Sequence, residues 1–257
     1  MADGSRVPDG AAAVFGEALP GAVRYAELLA GPGVERGIVG PAEADRIWDR
    51  HLLNCAAIGR LVPSRAWVVD VGSGAGLPGI VLGLLLPSAR LTLVESLARR
   101  VSFLEECVLI LGLTNTEVVR GRAEELAGQL AADVATARAV APLEKLAGLC
   151  LGLLRPGGRV LAIKGSSAEA ELARARPALT RLGITDARVT TVSGADAAAT
   201  ATVVVLSGSA EARGQSGPVR RGGRAMDRQG VARPGGQRAS GRADGRQARP
   251  NSRRGGG

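Results

Sequence analysis

The stretch Val68-Val69-Asp70-Val71-Gly72-Ser73-Gly74-Ala75-Gly76-Leu77-Pro78-Gly79 decides the fold of this 257-residue chain. A β-branched apolar run enters a glycine-rich turn, and Gly79–Leu86 then reads as a helix with Pro78 suited to its first turn. Glycine at such a turn lets the backbone take positive φ and approach a ligand closely. A Gly-x-Gly-x-x-Gly pattern can be read at Gly74, Gly76 and Gly79, and Glu95 ends the next apolar run about the ~20 residues later that a ribose-binding acid requires.

Outward from this loop, short apolar runs alternate with longer helical patterns. Strands are expected at Trp67–Val71, Leu91–Glu95, Glu117–Arg120, Val134–Ala137 and Val160–Lys164. Helices are expected at Gly79–Leu86, Ala98–Leu111, Ala123–Leu130, Leu143–Leu154 and Ala168–Leu182, with Gly112, Pro156-Gly157-Gly158 and Gly183 punctuating their ends. Strands that are apolar throughout imply a parallel sheet covered on both faces. The ending differs: Ala187–Val192 and Thr202–Leu206 have only a short Gly/Ala/Asp loop between them, which predicts an antiparallel hairpin at the far edge of the sheet. Upstream, residues 1–62 read as helical, with a helix opened by Pro41 in which Ile47, Leu52, Cys55 and Ile58 recur at helical spacing. The expected organisation is a helical N-terminal cap over 1–62, an α/β domain over 63–208 and a tail over 209–257.

The net charge of +9 sits in that tail, which holds twelve arginines against Glu211, Asp227 and Asp244; the first 208 residues are neutral overall. The charge therefore does not by itself argue a nucleic-acid surface on the domain. With Val219, Met226 and Val231 as its only sizeable apolar residues, the tail is expected to be disordered. The apolar stretch Leu77–Pro87 is about half the length of a membrane span and is broken by Pro and Gly. No secretory pattern opens the chain, and Cys55, Cys107 and Cys150 lie far apart in apolar surroundings, which points to a reducing cytoplasm. No metal-ligand spacing is present. His51 is the only histidine and reads as a packing residue, as do Trp48 and Trp67.

The glycine loop alone fits a nicotinamide dehydrogenase as well as a methyltransferase. Three features favour the latter. Asp70 carries a carboxylate into the loop, where a sulfonium and an ammonium suit it better than a pyrophosphate does. Glu124 adds an acid after the third strand, and a plain dinucleotide sheet does not require the terminal hairpin. The plainer reading of Asp70 is a loop-bracing carboxylate, and that of Glu95 a solvated strand end; the constellation favours ligand roles for both.

Beyond this, the chain resembles the small-subunit ribosomal RNA methyltransferase G family, also called the glucose-inhibited division protein B family. The resemblance is carried by Trp48-Asp49-Arg50-His51-Leu52-Leu53-Asn54, by Asp70 to Gly79, and by Glu95-Ser96 with Arg99-Arg100-Val101-Ser102-Phe103-Leu104. Gly121-Arg122-Ala123-Glu124-Glu125, Arg138-Ala139 and Leu161-Ala162-Ile163-Lys164-Gly165 complete it, in order over about residues 20–207. It implies a class I adenosylmethionine-dependent methyltransferase fold and methyl transfer to N7 of a guanine in 16S rRNA near the decoding region, by a cytoplasmic monomer. By matched position it implies S-adenosylmethionine contacts at Gly72, Leu77, Ala123, Glu124 and Arg138, beside Asp70, Gly74 and Glu95. Arg122, Arg138 and Lys164 are expected to hold RNA. Guanine N7 has a lone pair and no proton to lose, so no catalytic acid or base is named. The loop 193–200 departs from the family in lacking basic residues, and the Arg/Gly tail exceeds the family's usual extent. Other open readings are a methyltransferase with a non-RNA acceptor, a nicotinamide-dependent oxidoreductase, and an RNA-binding protein with a relic cofactor site.

Overall fold

The computed structural model describes residues 7–138, 140–194 and 199–208. The tail, Ala139 and most of the loop before the last strand lie outside the described residues. The fold is α/β. Seven strands, β1 (Trp67–Val71), β2 (Arg90–Glu95), β3 (Thr116–Arg120), β4 (Ala132–Arg138), β5 (Leu154–Lys164), β6 (Ile184–Ser193) and β7 (Thr200–Gly208), form one sheet in the order β3-β2-β1-β4-β5-β7-β6. The first five pair in parallel, whereas β7 runs antiparallel to both β5 and β6. The expected hairpin is therefore present at the edge, with its second strand inserted beside β5. The chain winds from β1 to β3 on one side and returns at β4 on the other. The carboxyl ends of β1 and β4 thus flank the switch point, where a ligand crevice opens in such sheets.

Side chains alternate across the strands and build two apolar layers. Val68, Leu91 and Leu93 face one core, which is shared with α4 (Gly79–Leu85), α5 (Ala98–Ile110) and the N-terminal helices. Those N-terminal elements are α1 (Ala11–Phe15), α2 (Leu19–Leu28) and α3 (Leu53–Ala57), and Tyr25, Leu29, Ile47 and Leu52 are among the residues they and their flanking turns bury there. Val69, Val71 and Val94 face the second core with α6 (Leu143–Leu151) and α7 (Ala168–Arg181). Cys55, Cys107 and Cys150 are all buried free thiols, with burial pushing the first up to about 11 and the other two to about 12. No helix among the described residues is long and apolar enough to cross a membrane.

Three expectations need correction. Residues 123–130 are a series of turns and not a helix: Gly128 takes φ +76° and donates its N–H to Gly152 O at 2.8 Å, so the segment follows its neighbour instead of its own periodicity. β5 begins at Leu154, six residues earlier than its apolar run, because β4 pairs with it through Pro156-Gly157-Gly158 across a register shift. The run 41–61 is not a regular helix. It winds as a 3₁₀ turn over Pro41–Arg46, a π turn over Ile47–Leu52, α3, and a last 3₁₀ turn over Ile58–Leu61.

Candidate functional site

The glycine loop after β1 is braced from below and from the side. Asp70 is wholly buried beneath it; one carboxylate oxygen accepts from Gly79 N–H at 3.1 Å and the other from Thr136 Oγ1 at 3.1 Å. Burial pushes its carboxyl up to about 6, against the pull of these hydrogen bonds. From α2, buried Tyr25 donates its hydroxyl to Ala75 O at 2.7 Å. The loop closes so tightly over this brace that a Cβ at Gly76, where φ is +98°, would lie 2.8 Å from the Tyr25 hydroxyl; one at Gly79 would lie 2.2 Å from Leu93.

Above the loop lies a pocket of about 580 Å³ whose lining includes Gly72, Gly74, Leu77, Glu95, Arg100 and Arg138. Glu95 is 4% exposed and accepts three backbone N–H groups: Gly74 at 3.0 Å on one oxygen, Ser96 at 2.8 Å and Leu97 at 2.9 Å on the other. A carboxylate offers about four lone-pair sites, so one is left for a hydroxyl. Arg100 Nη1 stands 3.6 Å from the same carboxylate, and its buried Nε has no partner within the protein. The lining thus offers the Arg100 and Arg138 guanidiniums and a carboxylate. A pyrophosphate fits poorly, because Asp70 and Glu95 already occupy the Gly79 and Gly74 amides and place negative charge at the helix start.

The wall opposite the loop comes from the π turn. Arg138, at the end of β4, donates Nη2–H to His51 Nδ1 at 2.6 Å and to Arg50 O at 3.0 Å, and Nη1–H to Cys55 Sγ at 3.4 Å. Since a guanidinium only donates, His51 Nδ1 must be the acceptor and its proton sits on Nε2, which meets Glu43 at 2.9 Å. Burial first, and the Arg138 charge second, hold His51 down at about 4, so the ring is neutral. Arg138 also borders a second cleft of about 540 Å³, lined in addition by Arg46, Asp49, Arg50, Asn54 and Lys164. Arg46 has no ion-pair partner among the described residues. Lys164 is paired with Glu171 at 2.8 Å and donates to Ala141 O at 3.2 Å, with its side chain only 12% exposed.

The structure therefore brings Gly72, Gly74, Leu77, Glu95 and Arg138 to one pocket, and Arg138 and Lys164 to the adjoining cleft. Asp70 lies under the loop and lines neither. Ala123 is buried, and Arg122 and Glu124 are exposed on the turn segment after β3; none of the three lines the pocket, although Gly121 N–H donates to Glu95 O at 3.0 Å and so carries that segment alongside. Arg46, Arg50 and Asn54 were not expected in a site. Their spacing of four was a readable signal: a polar stripe along the helical run opened by Pro41.

Strand order, a braced glycine loop at the switch point and an acid at the end of β2 define a class I adenosylmethionine-dependent methyltransferase fold. A putative O-methyltransferase from Nostoc punctiforme shares that fold, with TM-score 0.50 at 17% identity over 61% of this chain and 57% of that one. The family described as rRNA small subunit methyltransferase G matches residues 19–200, and the chain belongs to it. Relatives carrying the name ribosomal RNA small subunit methyltransferase G include proteins of Thermobifida fusca, 55% identical over 76% of this chain and 83% of that protein, and of Streptomyces coelicolor, 56% identical over 69% and 74%.

Proposed function

We propose that this enzyme transfers a methyl group from S-adenosylmethionine to N7 of a guanine in 16S rRNA near the decoding region, acting on the RNA or the small subunit as a cytoplasmic monomer. The observation that carries the reading is the meeting of two clefts at Arg138, one built for a charged nucleoside and the other lined by cations. When bound, S-adenosylmethionine supplies an electrophilic methyl on a sulfonium. Glu95 accepts from its ribose with the lone-pair site left over from the loop amides, and Arg100 meets its carboxylate. Gly72, Gly74 and Leu77 line the same pocket, and Asp70 serves by holding the loop in shape. Ala123 and Glu124 stand at the margin of this site.

In the second cleft, Arg46 and Arg50 face the RNA phosphates with Lys164 in the same lining, and Arg122 meets the RNA separately from the turn segment after β3. A guanine seated there presents N7 with its lone pair in the ring plane. No proton has to leave, so the residues need only align the base and exclude water. The neutral His51 and the occupied Glu95 suit such a role better than they suit general-base work. The decisive experiment incubates the protein and labelled S-adenosylmethionine with purified small subunits and with naked 16S rRNA. Label recovered as N7-methylguanine at a single site is expected; absence of label from both, with cofactor binding intact, overturns the RNA reading in favour of another acceptor.

A further inference from the structure

His51 lines the cofactor pocket, yet its ring nitrogens are used up within the protein. Nδ1 takes Arg138 at 2.6 Å, Nε2 gives to Glu43 at 2.9 Å, and the side chain is 13% exposed. Glu43 is itself held by Arg50 at 3.2 Å. Two links therefore run from Glu43 on the 3₁₀ turn that opens at Pro41, through His51 on the π turn, to the guanidinium at the end of β4, and Arg50 fastens the Glu43 end. A π turn recurs at functional sites because it displaces one register of the helix; here it carries Arg50 and His51, both of which grip Arg138.

We propose that His51, backed by Glu43, is a positioning residue: it aims the Arg138 guanidinium at the seam between the cofactor pocket and the acceptor cleft. This inference rests on the function proposed above. Three of the five N–H donors of Arg138 are spent on Arg50 O, His51 Nδ1 and Cys55 Sγ, which leaves two for ligands. Guanine O6 lies next to N7 on the same edge of the base, and an arginine donor is its usual partner. An Arg138 fixed at the seam can hold O6 while N7 faces the methyl group. The low proton affinity of His51 serves this arrangement, since a protonated ring would have no acceptor at Nδ1 and would repel the guanidinium.

Two near-isosteric variants test it. Asparagine at 51 sets an amide oxygen where Nδ1 stands, whereas glutamine sets its amide near Nε2 and leaves Arg138 without that acceptor. With wild-type enzyme first shown to label small subunits, His51→Gln is expected to lower kcat about ten- to a hundredfold with KM for cofactor within a few-fold. His51→Asn is expected to keep kcat within about threefold of wild type. In the Arg138→Lys background, His51→Gln is expected to add nothing further, because its route of action is already gone. Equal kcat for the two variants, or losses that multiply with Arg138→Lys, overturns the inference. A wild-type enzyme that binds cofactor but labels no RNA instead overturns the parent reading.

Discussion

Replacing Asp70 with asparagine separates the two parts a carboxylate can play at this position. The side chain is wholly enclosed, with its oxygens on Gly79 N–H and Thr136 Oγ1. Burial raises its pKa from 3.8 to about 6 in the folded protein, while the unfolded chain keeps the ordinary value. The folded state therefore holds this proton more tightly. The resulting stabilisation is fully present below about pH 4 and is lost as the pH rises through about 6. At roughly 1.4 kcal/mol per pH unit, the displacement is worth about 3 kcal/mol. Asparagine keeps an acceptor for Gly79 N–H and has no proton to exchange. Urea unfolding of both proteins across pH 4 to 7 is the assay, because subtracting the two curves cancels the other carboxylates. The stability difference, wild type minus variant, is expected to fall by about 2.5 kcal/mol over that span, the rest of the displacement lying below pH 4. Cofactor affinity is expected to stay within a few-fold, since Asp70 does not line the pocket. A difference that is flat with pH refutes the enclosed carboxylate. A hundredfold loss of affinity in a folded variant refutes its confinement to bracing.

Other consequences of the geometry are as direct. Tyr25→Phe leaves Ala75 O without its donor; thermal or urea unfolding should show a loss of about 1–2 kcal/mol, and titration calorimetry a weaker cofactor affinity as the loop loosens. Arg46→Ala removes a cation that no acid of the described residues neutralises, so KM for small subunits should rise several-fold and the salt dependence of RNA binding should flatten, while cofactor affinity holds. Lys164→Ala strands the Glu171 carboxylate, which also accepts Leu143 N–H, and should cost about 2 kcal/mol of stability. The same variant should lose transfer to RNA with cofactor binding intact; unchanged RNA turnover sinks the place of Lys164 in the acceptor cleft.

What could be read in advance was whatever depends on local pattern. The inner strands β1, β2, β4, β5 and β7 announce themselves as apolar runs, the edge strands β3 and β6 mix apolar with polar residues, and Gly72 to Gly79 marks the crevice, because sheet burial and positive φ leave few residue choices. Features set by distant partners were not legible. Residues 123–130 have a helical composition, yet the contact between Gly128 and Gly152 governs them. Asp70 and Glu95 occur where ligand acids are expected, but only the folded loop shows that backbone amides have taken one oxygen of the first and both of the second. Lys164 reads as a cation for RNA at a strand end, and nothing in the sequence shows that Glu171, on the next helix, answers its charge. The stripe Arg46, Arg50, Asn54 is legible in the sequence at a spacing of four, opposite the apolar positions Ile47, Cys55 and Ile58 that define the run. His51 reads as a packing residue, but the run of links through it depends on Arg138, 87 positions away.

The insertion of β7 between β5 and β6 gives synthesis of this protein a deadline. β5 and β6 have no ladder with each other; each pairs on this side only with the last strand, up to Gly208. A nascent chain that has just finished β6 holds Val160 to Lys164 as an open, largely apolar edge, with a second strand waiting beside it. Such an edge recruits strands from other chains. A message truncated between codons 194 and 200 would yield a product with its parallel half built and its border open, prone to aggregate.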